Sequence, residues 1–230
     1  MKTTNPAESS ARPPREPTAD MKISFLLTTC LFAFCIPSLV AAENDDLLFD
    51  GNSFAGWEGN LDWFRIEKES VVAGRLDQEI PRNEFLCTEQ EFADFELTLE
   101  AKLVGEGKNA GIQFRSKRIP DHHEVIGYQC DMGWADDKPI WGSLYDESRR
   151  RTFLAEGNAD RVRKVLKKRD FIPLKIRAQG KHIQIWVDEV KTVDYHEEND
   201  NIPQSGIIGL QIHSGPKCEA WYRNIRLKKL

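Results

Sequence analysis

Apolar and polar residues alternate without a break from Phe95 to Leu103, a period of two that puts one face of a β-strand into a core. The same alternation returns from Ala110 to Arg115, after a glycine-rich turn at Gly105–Gly107. It recurs at Leu174–Ala178, His182–Val187, Val190–Tyr195, Gly206–His213 and Ala220–Leu227. Gln179-Gly180-Lys181 and Asp188-Glu189 supply tight turns between the first three of these. Short strands with frequent turn signals predict an all-β sandwich or barrel. One stretch breaks the pattern: Val162, Val165 and Leu166 stand at helical spacing within Asp160–Lys168, which predicts a short surface helix among basic residues. No linker or internal repeat follows Asp45, so residues 43–230 read as one domain.

The N-terminal segment is a different kind of sequence. Lys22 and the apolar run Ile23–Pro37, closed by the small residues Val40-Ala41-Ala42, read as a secretory signal over residues 21–42. Residues 1–20, rich in Pro, Ser and charge, read as a disordered leader upstream of a start at Met21. Leu27–Cys30 resembles a lipoprotein box only faintly, because Thr29 is a poor residue before the cysteine. The expected location is periplasmic or secreted, and no integral membrane span is expected after cleavage. A net charge of −5 argues against binding duplex nucleic acid, and the Arg149–Arg151 and Arg161–Arg169 runs read as solvated faces. Cys87, Cys130 and Cys218 remain after cleavage, an odd number without CxxC spacing, so a zinc ribbon is not supported and the usual role is that of small buried hydrophobes.

The centre of the chain holds the candidate chemistry. If Gln113–Ser116, Gly127–Trp134 and Trp141–Arg150 are neighbouring strands, then Gln113, Arg115, Gln129 and Asp131 project to one side, with Tyr145 and Glu147 joining them. Amides, a guanidinium, carboxylates and the rings of Trp134, Trp141 and Tyr145 suit a sugar, whose hydroxyls want polar partners and whose C–H face wants aromatic cover. Arg149 adds a further hydroxyl-binding candidate. The same residues could equally form a solvated face of cross-strand ion pairs. Asp131, Asp146 and Glu147 are candidates for paired-carboxylate acid/base work or for binding Ca²⁺. Asp136-Asp137 reads as a turn. His213 shares a face with Gln211 and could act as a base or a ligand, or simply bond to backbone at a strand end. His122-His123 is a poor metal pair, since neighbours on an extended chain point apart. Neither GxSxG, a P-loop, HExxH nor GxGxxG before a helix occurs.

Leu47–Trp57, reading LFDGNSFAGW after its first residue, resembles the opening of the 3-keto-disaccharide hydrolase domain family. Gly111–Ser116, Gly127–Asp131, Gly142–Glu147, Gly209–Ser214 and Tyr222–Ile225 fit the same pattern, and the resemblance spans Leu47–Leu230; Phe54 and Tyr222 depart from its common residues. It implies a concanavalin A-like jelly-roll β-sandwich of two antiparallel sheets, export, and activity on carbohydrate. The implied reaction uses a ketone at C3 to acidify the proton on C2, so that a base can remove it and expel the C1 substituent; the enolate needs an electrophile or a metal. Arg115, Gln129, Asp131, Tyr145, Glu147, Arg149 and His213 lie in the matching segments. The expected catalytic set is therefore Asp131, Glu147 and His213. Substrate would be held by Gln113, Arg115, Gln129, Trp134, Trp141, Tyr145 and Arg149, with a divalent Ca²⁺ or Mn²⁺ as a possible cofactor. The alternative is a non-catalytic lectin-like carbohydrate-binding module.

Overall fold

A computed structural model describes residues 46–107 and 109–230. The signal at 21–42, the leader at 1–20 and the box ending at Cys30 lie outside the described residues. The order along the chain is β1 (Asp46–Leu47), β2 (Trp57–Glu58), β3 (Phe64–Glu67), β4 (Ser70–Arg75), β5 (Glu84–Thr88), β6 (Phe95–Gly105), β7 (Asn109–Arg118) and β8 (Val125–Ala135). It continues with β9 (Lys138–Pro139), β10 (Leu144–Glu147), β11 (Phe153–Ala155), α1 (Ala159–Leu166), β12 (Ile172–Gln179), β13 (His182–Val187), β14 (Val190–His196), β15 (Ile207–Ile212) and β16 (Cys218–Lys229).

These strands form two antiparallel sheets. The first runs β14-β13-β12-β6-β16-β4-β3 with β1 beside β16; the second runs β11-β10-β8-β7-β15-β5-β2 with β9 beside β8. The alternation seen in the sequence explains the first sheet directly. Phe95, Leu97, Leu99 and Ala101 of β6 are buried while Glu96, Thr98 and Glu100 between them are half-exposed. Their inner faces meet Ala110, Ile112 and Phe114 of β7 and Cys130 and Met132 of β8 in one core, with Phe95 edge-on to Phe114 at 6.3 Å. Burying such side chains stabilises the fold by about 1.5–3 kcal/mol each. The predicted helix is present, starting at Ala159 and ending at Leu166; the Asn158 side chain caps it by accepting from Arg161 N at 3.0 Å, and Val162 and Val165 are buried. The three cysteines are free and buried, and burial pushes the Cys87 thiol up to about 12.

The second sheet differs in one respect that matters. Its central strands bury both faces: in β7 every residue from Ala110 to Ser116 is buried, although Gln113, Arg115 and Ser116 are polar. The polar residues at the centre of this sheet's outward face are therefore shielded from solvent rather than solvated.

Candidate functional site

The site is set by register. Across β8, β7 and β15, Asp131 stands opposite Gly111, and Gly111 opposite Gln211. One row along, Tyr145 of β10 pairs with Gln129, Gln129 with Gln113, and Gln113 with Gly209. Gly111 makes room for a neighbouring side chain. The Gln129 amide lies across Gly111, and a Cβ there would come within 2.6 Å of Gln129 Cδ. The polar side chains form a directed chain of hydrogen bonds. Ser116 Oγ donates to Gln113 Oε1 at 3.0 Å, Gln113 Nε2 donates to Gln129 Oε1, and Gln129 Nε2 donates to Asp131 Oδ1. Such a chain fixes the orientation of each amide.

Asp131 ends the chain and is only 4% exposed. Burial raises its pKa to about 7, against the opposing effect of the Gln129 bond, and the charge of Glu147 adds to the rise. Glu147 is itself raised, first by burial and then by Glu124; His213 pulls it back. Tyr145 is raised by burial and by the same carboxylates, Glu147 and Asp131. Asp131, Glu147, Tyr145, Glu124 and His213 thus share one electrostatic neighbourhood. Two of the groups around it are buried without a partner: Gln211, which is fully buried with neither Oε1 nor Nε2 engaged, and Glu124 Oε2. The other oxygen of Glu124 accepts from Asn83 Nδ2 at 3.1 Å, and Asn83 Oδ1 accepts from Ser214 N, which fixes the turn beyond β15. Next to Gln211 across the sheet stands Phe85, which floors an open groove of about 730 Å³ bounded by Glu58, Arg82, Arg118 and His122. The groove, with charged and apolar walls beside the buried amides, has the size for a sugar.

Several expected residues are not there. Arg115 leaves the face because β7 and β8 shift register between Phe114 and Lys117, and Arg115 takes φ +46° at that irregularity. Its guanidinium binds Ala93 O at 2.8 Å, Gly180 O at 2.6 Å and Asp94 Oδ1 at 2.9 Å, tying the two sheets together at one end. Arg149 also faces away, lying over the Tyr128 ring at 4.7 Å with Nε bonded to Asp146 at 2.7 Å. Asp146 is fully buried and paired with both Arg149 and Arg150, which removes it from the acid/base candidates. Trp141 belongs to the core. Trp134 has the parity of Cys130 and Met132; it stacks under Arg163 at 5.4 Å and meets His213 only along a rim cleft of about 300 Å³. His213 bonds Ser214 O through Nδ1 at 2.7 Å and reaches the site through its field on Glu147. His122 and His123 do not point apart: in the bend after β7 their rings stack at 4.4 Å. Sequence reasoning missed Glu124 and passed over Gln211 as a site residue. The period-two alternation through Gln211 was the available signal for the second; nothing local marked the first.

The oxygen-rich site suits a hard cation in chemistry. Its geometry does not. Among the described residues only His182, Asp194 and His196, on the other sheet, bring three carboxylate, imidazole or thiol ligand atoms within 4.8 Å of one another. Asp131, Glu147, Glu124 and His213 are too far apart to form such a cage, so no step below is routed through a metal. Among the described residues no helix is long and apolar enough to cross a membrane.

Comparison with known proteins accords with this architecture. A family model described as a 3-keto-alpha-glucoside-1,2-lyase-like domain matches residues 45–228. No match was found among curated proteins. Among solved structures, a candidate glycosyl hydrolase of Parabacteroides distasonis ATCC 8503 superposes with a TM-score of 0.57 at 14% identity, covering 80% of this chain and 93% of its own. The carbohydrate-binding module CBM66 of Bacillus subtilis gives 0.54 at 16% identity, over 76% and 96%. The exoplasmic/lumenal domain of VIP36, in its Ca²⁺/Man3GlcNAc-bound form, gives 0.55 at 14% identity, over 80% and 87%. At these identities the likeness establishes the fold, a lectin-like jelly-roll sandwich.

Proposed function

Since the chain belongs to the 3-keto-alpha-glucoside-1,2-lyase-like domain family, we propose that it cleaves the C1 bond of 3-keto-glycosides by elimination at Asp131. The observation that carries this reading is Asp131 itself: a buried carboxyl, held on one oxygen by Gln129 and raised to about 7, beside a second raised carboxyl. A general base works best when its pKa lies near the working pH. The ionised fraction of Asp131 takes the C2 proton, and the electron pair left behind forms the C2=C3 enolate. The unpartnered Gln211 Nε2 is the buried donor that can receive the C3 oxygen, where it acts in a water-poor setting. The pair then forms C1=C2 as the C1–O bond breaks. Glu147, whose pKa burial and Glu124 raise, gives a proton from its protonated fraction to the departing oxygen. Asp131 ends protonated and Glu147 ionised, and exchange with water restores both. Reading residues 21–42 as an export signal puts this work outside the cytoplasm.

The test is incubation of residues 43–230 with a panel of 3-keto-glycosides, with Ca²⁺, with Mn²⁺ and with chelator, following released alcohol and C2 deuterium exchange in D₂O. Wild type should release the alcohol, and Asp131→Asn should lose about 10²–10⁴-fold in rate while keeping its circular dichroism. Glycan binding without release or exchange would replace this reading with a lectin-like module. Release undiminished in Asp131→Asn would move the chemistry to another residue.

A further inference from the structure

The edge of the first sheet carries a cluster that this reaction does not use. Along β13, Ile183, Ile185 and Val187 enter the core, so His182 and Gln184 face outward. Across the hairpin His182 stands opposite His196, and Gln184 opposite Asp194. The two imidazoles stack at 4.1 Å with an interplanar angle of 12°. Asp194 Oδ1 lies 2.5 Å from His182 Nε2. Its other oxygen is held by Gln184 Nε2 at 3.2 Å and by Lys191 Nζ.

We infer that His182, Asp194 and His196 form a binding site for a divalent transition-metal ion, zinc(II) or copper(II), on the outer face of this hairpin. Three facts support it. The donor atoms of the three side chains lie within 4.8 Å of one another; bonds of about 2.0–2.2 Å around a tetrahedral ion put donors about 3.3–3.6 Å apart, a distance that side-chain rotation of the exposed, stacked rings would close. Two imidazoles and one carboxylate are the donors that borderline metals select, whereas calcium takes six to eight oxygens. The carboxylate is also oriented in advance: Gln184 and Lys191 grip Oδ2 and leave Oδ1 toward the histidines, the outer-shell arrangement that tunes metal sites. Because β14 is the edge strand of its sheet, an ion here would pin the exposed end of the hairpin, with water or an exogenous ligand in the remaining position.

The experiment is calorimetric titration of the purified chain with ZnCl₂, with electron paramagnetic resonance of the Cu²⁺-loaded sample. One equivalent should bind, and the copper spectrum should show coupling to two imidazole nitrogens. His182→Ala and His196→Ala should each weaken zinc at least tenfold. Zinc should raise the melting temperature of wild type more than that of either variant. Asp194→Asn, which keeps the side chain's shape, should also weaken binding, and excess Ca²⁺ should not displace the zinc. Absence of saturable binding would overturn the site. So would binding that survives in His196→Ala but disappears in His122→Ala, since it would belong to the stacked His122-His123 pair.

Discussion

Two buried acidic clusters meet at β10, one on each of its faces, and they have opposite fates. On the inner face, Asp146 and Glu197 are almost completely buried, yet every carboxylate oxygen has a partner. Asp146 takes Arg149 and Arg150. Glu197 takes Arg150 at 2.6 Å, the Tyr128 hydroxyl at 2.6 Å, Tyr195 at 3.2 Å and Asn199 N at 3.0 Å. Despite burial, these bonds hold the Glu197 carboxyl down at about 2. On the outer face, Asp131 and Glu147 have no ion-pair partner among the described residues; Asp131 accepts from Gln129 and Glu147 from Ser148, and both are raised although His213 pulls Glu147 back. The same residue types at neighbouring positions thus serve structure where their charge is met and remain available for chemistry where it is not.

The largest expected effect comes from breaking the satisfied cluster. Arg150→Ala removes the cation shared by two buried carboxylates, leaving Glu197 without a charged partner among the described residues, and should destabilise the domain by about 3–5 kcal/mol, read as a lower midpoint in urea. Activity per folded molecule should be unchanged at temperatures where the variant is still native. A loss of turnover without a loss of stability would mean that the inner cluster reaches the chemistry and that the contrast fails.

The unsatisfied cluster should respond in the opposite sense. The folded pKa of Asp131 is raised from 3.8 to about 7, so between these values the folded state holds a proton that the unfolded chain has lost. Stability contributed by this group therefore falls as pH rises through that window and is lowest above it. Asp131→Asn should remove the penalty. Its stability should exceed that of wild type by up to roughly 4 kcal/mol at pH 8, and the advantage should vanish near pH 4. Urea midpoints across pH give the answer; an Asn variant that is less stable at pH 8 would show that the charge is compensated after all. Gain of stability with loss of turnover is the signature of a site held against its own folding preference.

The sequence showed the scaffold of this contrast better than its outcome. Alternation along Phe95–Leu103 and His182–Val187 located the strands because a one-faced strand advertises its period. It also aligned Gln113, Gln129 and Asp131, whose parity survives in the fold. The same alternation, followed through Tyr145 and Glu147, turns Asp146 inward, and a carboxylate aimed at a core next to two arginines is a readable ion pair. Arg115 was not readable, because a register shift turns its side chain over without any glycine or proline to announce it. Glu124 was not readable either, since it lies in the bend before β8 and meets Glu147 only through the fold. Glu197 reaches Asp146's partner from a distant strand end.

The smallest effect is the sharpest test of which polar groups are reserved for a guest. Gln211 is fully buried with both amide atoms unengaged, unlike Gln113 and Gln129, which bond to each other. Replacing it with methionine keeps the volume and removes the unmet polarity, which should stabilise the domain by about 1–2 kcal/mol. Gln113→Met, by contrast, should destabilise it, because Gln129 and Ser116 lose a partner. If Gln211 receives the substrate's carbonyl oxygen, the methionine variant should also show a lower kcat with little change in KM, since that contact strengthens as charge develops. Should Gln211→Met lose stability as Gln113→Met does, the amide is structural, and the distinction between met and unmet polar groups no longer locates the site.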